Sequence, residues 1–449
     1  MNRLILIGNG FDKAHRLPTG YVDFINNYWG HIISQLEHYK SPEYYDELCT
    51  FKLLCHNLDN PDIRCWEDYM RYGTFSLTYK TPIDKINSLK EFTDDCEIKK
   101  TSFLGEIDKS VENKRWVDIE DEYYKALKKI CHNNVVNKAD KIQSLNEELD
   151  YIKRRLIQYL KSIPVAQVNE RIKKIIYEPF RVKDISIAGQ YKFKEELKCI
   201  WNKESNEIAA WIERYNLNRT IAKYEQTFEF DSLADYYNGI LSRAEKMNID
   251  AAELHFNMAA EHKDASWYNC NSLDYFLYPE NIMLLTFNYT NSADLYKLKN
   301  ASNVEVNHIH GELNDPASVI FGYGDDTDDE YNHIENLNDN VYLDNIKAFH
   351  YLGSANYRRM LEFIESAPYQ IYIMGHSCGT SDRTLLNTLF EHDNCISIKP
   401  YFYQKSQTED NYLELVQNIS RNFKSRPKMR DRVVNKTFCE PLIKLEPEI

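Results

Sequence analysis

The feature that most constrains the fold is a set of short apolar runs, each long enough for one buried strand and bounded by turn residues. These runs are Leu4–Ile7, Ile282–Phe287, Val304–Ile309, Val319–Phe321, Ile371–Met374 and Cys395–Lys399. All but the first lie after residue 280, and helical patterns separate several of them. Strands that alternate with helices favour parallel pairing. We therefore expect an α/β core with helices on both faces of a parallel sheet.

The middle of the chain has a different pattern. From about residue 80 to 280 it is rich in Lys, Glu, Tyr and Leu and has few strand signals. Apolar residues recur there at alternating steps of three and four, which predicts a long helix that ends before Pro164; they are Ile142, Leu145, Leu149, Ile152, Leu156, Tyr159 and Ile163. A helical hairpin inside the protein is favoured over a coiled coil between copies. We predict that residues 1–75 and 281–449 form the core and that 76–280 are a helical insertion.

Charge and cysteine usage exclude several classes of protein. A net charge of −14 argues against broad electrostatic binding to nucleic acid. The ten cysteines form no C-x-x-C pair, so neither a structural zinc site nor a redox motif is expected, and we predict no metal. Leu4–Ile7 is too short for the apolar region of a signal peptide, and no run could span a bilayer. We expect a cytoplasmic protein with reduced thiols and no membrane partner.

The first apolar run leads directly into the sequence Gly8-Asn9-Gly10-Phe11-Asp12. Glycine permits a sharp turn from strand to helix and lets a phosphate approach the backbone. The full dinucleotide fingerprint would need a third glycine where this chain has Lys13. The motif therefore indicates either one wall of a nucleotide site or a simple tight turn.

A polar cluster follows the second apolar run. Thr286, Asn288 and Tyr289 lie where that strand is expected to end, and open parallel sheets bind ligands at this edge. The Asn288 amide has both a donor and an acceptor, which suits a ribose hydroxyl or a positioned water. The alternative is a side chain that caps the next helix.

Two histidines lie at the end of the next predicted strand. His308 and His310 are two residues apart, so on a strand they share a face, and Gly311 permits a turn directly after them. Imidazole titrates near neutral pH, which suits a general base. A metal site would need further ligands such as Glu312 or Asp315 and is the weaker interpretation. A purely structural role is the other alternative.

The sequence Gly375-His376-Ser377-Cys378-Gly379 formally matches G-x-S-x-G, the nucleophile turn of α/β-hydrolases. In that class an acid and then a histidine follow the serine. Here His392 is the only histidine after Ser377, and too little chain remains for the separating elements. A second glycine turn at the same ligand edge is favoured, with the Ser377 hydroxyl bonding ribose or phosphate.

Together, LILIGNGFD, WVDIE, LLTFNYT, HIHGEL, VIFGYGDD and IYIMGHS followed by Asp382 resemble the AbiH family of bacterial abortive-infection proteins. The order of the motifs also resembles the sirtuin-like NAD-binding fold. This resemblance implies a Rossmann-like (sirtuin-like) core interrupted by the helical insertion, in an anti-phage effector.

The same resemblance implies residue roles. Gly8 and Gly10 would contact the NAD pyrophosphate, Asn288 would serve the ribose or the attacking water, and His310 would be the catalytic base. The other residues expected at the cofactor edge are Asn9, Phe11, Asp12, Thr286, Tyr289, Gly375, His376, Ser377 and Asp382.

Two departures from sirtuin deacylases argue against protein deacylation. The four-cysteine zinc module is absent, and Thr290 stands where those enzymes have aspartate. We therefore expect an NAD glycohydrolase that releases nicotinamide, with a phage-derived trigger and a homo-oligomer as candidate partners. The rivals are a non-catalytic sensor of a nucleotide or ADP-ribose, and a serine hydrolase that uses Ser377.

Overall fold

The computed structural model describes residues 1–449 except 59, 61, 73–80, 90–93, 115–116, 133–136, 214–219, 225, 262–269, 300, 327 and 445–449. Its strands are β1 Asn2–Ile7, β2 Glu43–Tyr45, β3 Cys49–Leu53, β4 Cys96–Lys100, β5 Thr220–Lys223, β6 Gln226–Glu229, β7 Ile282–Thr286, β8 Val304–His308, β9 Tyr369–Met374 and β10 Cys395–Tyr401.

The α-helices begin and end as follows: α1 Asn9–Ala14, α2 Tyr21–Leu36, α3 Trp66–Tyr72, α4 Pro82–Leu89, α5 Ser102–Lys114, α6 Ile119–His132, α7 Lys138–Lys161, α8 Glu170–Ile176, α9 Gln190–Glu213, α10 Phe230–Met247, α11 Ala251–Glu261, α12 Cys270–Tyr275, α13 Asp329–Glu335, α14 Lys347–His350, α15 Asn356–Ser366, α16 Arg383–Glu391, α17 Tyr412–Arg421 and α18 Arg426–Arg432. None of those within the described ranges is long and apolar enough to cross a membrane.

The main sheet has five parallel strands in the order β10-β9-β1-β7-β8. In the centre of the sheet, Ile5 of β1 is in register with Leu284 of β7 and with Tyr372 of β9. All six residues of β1 are buried, as expected for a strand whose two faces are both covered. Helices α8, α15 and α16 pack against this sheet.

The strand order reverses at β1. From β1 the chain moves outward through β7 to β8, and β9 then returns to the other side of β1 and is followed by β10. In open α/β sheets ligands bind at the carboxyl ends of the strands beside such a reversal. The loops after β1, β7, β8 and β9 all leave from that edge.

The mixed α/β fold with a parallel sheet is therefore confirmed, and five of the six predicted strands are present, with ends that differ by a few residues. Val319–Phe321 is the exception, because it is buried but has no strand conformation. A buried loop and a buried strand are both apolar. A run of three apolar residues therefore does not tell one from the other.

The chain divides by packing into two compact units. Unit 1 contains residues 1–15, 165–312 and 351–449, and unit 2 contains 16–164 and 313–350. The predicted boundaries at 75 and 280 do not coincide with these limits. Compactness does not test which segments fold independently, so the domain division stays a prediction.

Within unit 2 the predicted long helix is α7, and the first five members of its apolar seam are buried. It packs against α6 and α2 of the same unit. Trp116 of the WVDIE motif lies outside the described residues. Glu120 of that motif is buried, pairs with Lys347 at 3.0 Å and accepts the Gly322 N–H at 3.1 Å. The Glu120 carboxylate therefore lies in the interior of unit 2 and not on a solvated helix face.

Candidate active site

The glycine turns after β1 and β9 pack directly against each other. A Cβ on Gly8 would lie 2.6 Å from His376 Cα, and one on Gly10 would lie 2.8 Å from Gly375 Cα. Gly375 has φ of +75°, and its Cβ would lie 2.0 Å from Phe11 N. The Gly10 N–H donates to Gly375 O at 2.8 Å. Contact between the two turns accounts for these glycines, while their contact with a pyrophosphate stays a prediction.

Phe11 and Asp12 point into the core of unit 1 rather than toward solvent. The Phe11 ring packs 5.4 Å from that of Tyr296. The Asp12 carboxylate accepts the Thr290 hydroxyl at 2.7 Å and also the Ser292 hydroxyl. Burial raises the pKa of Asp12, although these hydroxyl contacts oppose the shift. Asp12 thus joins the loop after β1 to the loop after β7, while Asn9 is exposed at the turn.

Asn288 lies at the same edge and is fixed by two contacts. Its Nδ2 donates to Gly8 O at 3.1 Å, and its backbone N–H donates to the Thr286 hydroxyl at 3.1 Å. No described residue donates to Asn288 Oδ1, which leaves an acceptor for a ligand hydroxyl or water. Tyr289, the next residue, is buried.

The most distinctive arrangement is one carboxylate facing two imidazoles. Asp382 Oδ1 lies 3.3 Å from His310 Nε2, and Asp382 Oδ2 lies 3.6 Å from His376 Nε2. The Cys378 N–H donates to His376 Nδ1 at 3.0 Å, which assigns the His376 proton to Nε2, the atom that faces Asp382. All three side chains are buried. A buried carboxylate held this way can orient an imidazole and stabilise its protonated form.

Aromatic side chains surround this cluster. The Phe287 ring lies 5.1 Å from that of His310 and 4.1 Å from that of His376. The Tyr351 hydroxyl lies 3.1 Å from His310 Nε2, and the Tyr351 ring stacks on His310 and on Tyr357. These rings pack against the imidazoles and lower the local dielectric constant, which strengthens the interaction of the imidazoles with Asp382.

Asp382 reaches the histidines because of its place in the chain. It is the residue before α16, yet its side chain makes no capping hydrogen bond to that helix. The turn that precedes it starts at Gly379, after the second glycine loop. A residue type that normally caps a helix is therefore directed to the sheet edge instead.

His308 and His310 do not act together, contrary to the expectation that they share a face. The strand β8 ends at His308, and the Gly311 N–H donates to His308 O at 3.0 Å, so the chain turns between the two rings. His308 Nε2 pairs with Asp294 at 2.9 Å, whereas His310 contacts Asp382 and Tyr351. In the described residues no group of three His, Cys, Asp or Glu side chains could hold a metal ion.

The G-x-S-x-G match does not produce a nucleophile turn. Ser377 is exposed, and in the part of the chain that the structure describes no hydrogen bond joins its hydroxyl to a histidine. The strained left-handed backbone lies one residue later, at Cys378 with φ of 53°. Burial raises the pKa of the Cys378 thiol well above its ordinary value, so this residue is not a nucleophile either.

The structure thus brings the predicted residues of four loops to one edge and adds two that were not predicted. The sequence predicts Phe287 only as the last residue of an apolar strand. Its contacts with the His310 and His376 rings are seen only in the structure. Tyr351 lies in a short 3₁₀ helix, Tyr351–Gly353, with no periodic signal around it. No sequence pattern could have selected it from the thirty-three tyrosines of the chain.

Comparison with known proteins gives one match. The family described as "Bacteriophage abortive infection AbiH" matches residues 4–403, which include every residue of this site. No curated protein and no solved structure matches the chain significantly.

Proposed function

Because the chain belongs to the AbiH family, which has a role in abortive infection by bacteriophage, we propose that it acts by cleaving NAD to nicotinamide and ADP-ribose. The proposed site is the carboxyl edge of a Rossmann-like, sirtuin-like sheet. The observation that supports it best is the buried His310 imidazole, which Asp382 and Tyr351 hold at the carboxyl edge of the sheet, the edge from which the loop that carries Asn288 also leaves.

The proposed reaction is hydrolysis of the bond between ribose C1′ and the pyridinium nitrogen. The bonding electron pair leaves with nicotinamide, which neutralises the pyridinium, and an oxocarbenium-like ribose forms. A water oxygen bonds to C1′, and His310 takes the proton that this water loses. The products are nicotinamide, ADP-ribose and one proton. Asp382 stabilises the imidazolium, and general-base catalysis of this kind contributes about 10²–10⁴-fold.

Asn288 would position the reacting groups. Its Nδ2 is held by Gly8 O, so its Oδ1 has a fixed direction. An acceptor in that position can orient either the attacking water or a ribose hydroxyl, and such orientation lowers the entropic part of the barrier. The exposed Asn9 and Ser377 would contact the rest of the dinucleotide at the same edge.

The test is release of nicotinamide from NAD by the purified protein, with and without phage lysate. We expect His310→Ala to lower the rate about 10²–10⁴-fold, and Asn288→Ala to lower it as well. His308→Ala is the matched control, because His308 lies two residues away and pairs with Asp294 instead. Plating efficiency of phage on cells that carry each variant should follow the same order.

Two results would contradict the proposal. One is that neither the wild type nor Asn288→Ala releases nicotinamide under any trigger. The other is an equal loss of nicotinamide release in His308→Ala and His310→Ala, which would indicate that the two histidines have only a structural role.

One observation favours a second candidate, a sensor that binds a nucleotide without cleaving it. His310 Nε2 already has two partners, Tyr351 and Asp382, and a base so occupied can bind a ligand without accepting a proton from it. This candidate predicts saturable NAD or ADP-ribose binding, without nicotinamide release, that Asn288→Ala weakens.

A further inference from the structure

A second candidate ligand site lies entirely within unit 2, in a cleft between helices α2 and α7 with Pro82 of α4 at its margin. We call it the α2–α7 cleft. Its volume is about 490 Å³, within the range of small-molecule sites in proteins. It shares no residue with the candidate active site and does not depend on the function proposed there.

Arg155 places a guanidinium cation at the cleft. Among the described residues this guanidinium makes no ion pair and no hydrogen bond, and it lies 6.0 Å from the centre of the Tyr28 ring. The nearby Asp46 is already occupied. It accepts two backbone N–H groups at 2.8 and 2.9 Å and the hydroxyls of Tyr28 and Tyr151 at 2.9 and 3.3 Å. Arg155 is therefore available for an anion from outside the chain.

Asn26 supplies a second unmet group. Its Nδ2 donates to Val22 O at 3.0 Å, whereas its Oδ1 is buried and has no partner, and the residue lines the cleft. Buried polar atoms are nearly always hydrogen-bonded, so an unmet acceptor in a cleft indicates a missing donor. A hydroxyl or amino group of a ligand would satisfy it.

The walls of the cleft suit a flat ring. The Phe24 and Tyr159 rings line it with centres 6.0 Å apart, and Tyr28 lies beneath Arg155. Aromatic side chains stack on nucleobases, and a guanidinium binds phosphate through two parallel hydrogen bonds. The Gln158 amide adds a donor and an acceptor at the same cleft.

We propose that the α2–α7 cleft binds a small phosphorylated ligand of the mononucleotide class. Arg155 holds the phosphate, the aromatic walls hold the base, and Asn26 Oδ1 accepts from the sugar or base.

Binding can be measured by isothermal titration of the full chain with AMP, adenosine and inorganic phosphate. We expect AMP to bind most tightly, because only AMP meets both the cation and the aromatic walls. Arg155→Gln should weaken AMP binding about 10–100-fold, the usual effect of losing hydrogen bonds to a charged group. Arg154→Gln is the matched control, since Arg154 is exposed, pairs with Glu47 at 2.9 Å and does not line the cleft.

A second measurement needs no change to Arg155. His31 lines the cleft, and partial burial and then Arg155 lower its pKa, while Asp46 opposes them. A bound phosphate adds negative charge beside His31 and should raise its pKa. The His31 imidazole signal, assigned with His31→Gln, should therefore titrate at higher pH when AMP is present.

Several results would overturn the proposal. They are the absence of AMP binding by the wild type, an equal loss of AMP affinity in Arg154→Gln and Arg155→Gln, and a His31 pKa that AMP does not change. Adenosine that binds as tightly as AMP would exclude the phosphate contact, and inorganic phosphate that binds as tightly would exclude a nucleotide.

Discussion

Unit 1 contains two buried clusters of charge, and their chemistry differs. At the carboxyl edge of the sheet, Asp382 faces the imidazoles of His310 and His376. In the second cluster carboxylates face permanent cations. Asp184 pairs with Lys399 at 2.7 Å, and both side chains are fully buried.

The second cluster continues through Arg3 and Glu178. Arg3 Nη1 donates to Ile176 O at 3.0 Å, and its guanidinium stacks 4.4 Å from the Tyr372 ring centre. Glu178 accepts the hydroxyls of Tyr372 and Tyr401 at 2.8 and 2.9 Å. The two carboxylates of this cluster thus have basic side chains and tyrosine hydroxyls as their partners.

The comparison distinguishes a cluster suited to stabilising the fold from a cluster suited to proton transfer. A carboxylate paired with Lys or Arg holds its partners in one state at physiological pH, so it can fix the packing of the chain but cannot move a proton. A carboxylate paired with histidine controls a group that gains and loses a proton near pH 7. We therefore expect changes in the Lys399 cluster to affect stability, and changes at Asp382 to affect activity.

The largest effect is expected from Asp184→Asn, which leaves the Lys399 ammonium buried without a counter-charge. Removing one partner of a buried ion pair costs about 3–5 kcal/mol of unfolding free energy. The measurement is the denaturant midpoint of the purified protein. Replacing both partners, with Asp184→Leu and Lys399→Met, should return the stability to within about 1–2 kcal/mol of wild type. An Asp184→Asn variant as stable as wild type would show that this pair does not hold the fold.

The matched substitution in the other cluster, Asp382→Asn, should have the opposite profile. We expect nicotinamide release to fall about 10²-fold, which is about 2.7 kcal/mol of barrier, because the imidazolium of His310 loses its carboxylate. The unfolding free energy should change by less than the Asp184→Asn value, because an imidazole has an accessible neutral form, which needs no counter-charge, whereas an ammonium is far harder to neutralise. If Asp382→Asn unfolds the protein while activity per folded molecule is unchanged, the distinction between the clusters fails.

The same contrast explains what the sequence could predict. The strands of the sheet follow from local apolar runs, and the glycine turns follow from residue type. The contacts between residues that are distant in the sequence do not follow from local patterns. Gly375 stands against Gly10, which is 365 positions earlier in the sequence, so the reason for these glycines was hidden.

Buried charges were equally hidden from a single sequence. Arg3 and Lys399 lie in strands where local pattern favours apolar residues, Glu178 lies in an irregular segment, and Asp184 ends the short 3₁₀ helix Val182–Asp184. Only the fold shows that these four charges meet. Asp382 was predicted at the cofactor edge through the family resemblance, but its position between two imidazoles depends on the loops after two different strands, β8 and β9.

The smallest effect is expected in the pH dependence of stability, where the pKa values of two buried carboxyl groups of unit 1 shift in opposite directions: Glu178 in the Lys399 cluster, and Asp12 in α1 after the first glycine turn. For Glu178, burial alone would raise the pKa, but Arg3, Arg181 and Lys399 outweigh it and the pKa lies below its ordinary value of 4.5. Glu178 therefore contributes stability above about pH 4.5, and this contribution is lost as the pH falls through the lower folded-state pKa.

For Asp12, burial raises the pKa above 3.8, so its contribution is present below that pH and is lost as the pH rises through the folded-state pKa. Glu178→Gln should cost about 1.5 kcal/mol at pH 7 and less at pH 3, whereas Asp12→Asn should cost more at pH 3 than at pH 7. Urea midpoints at the two pH values measure both differences. Equal pH slopes for the two variants would mean that the cations near Glu178 do not offset its burial, and the electrostatic role argued for the Lys399 cluster would be wrong.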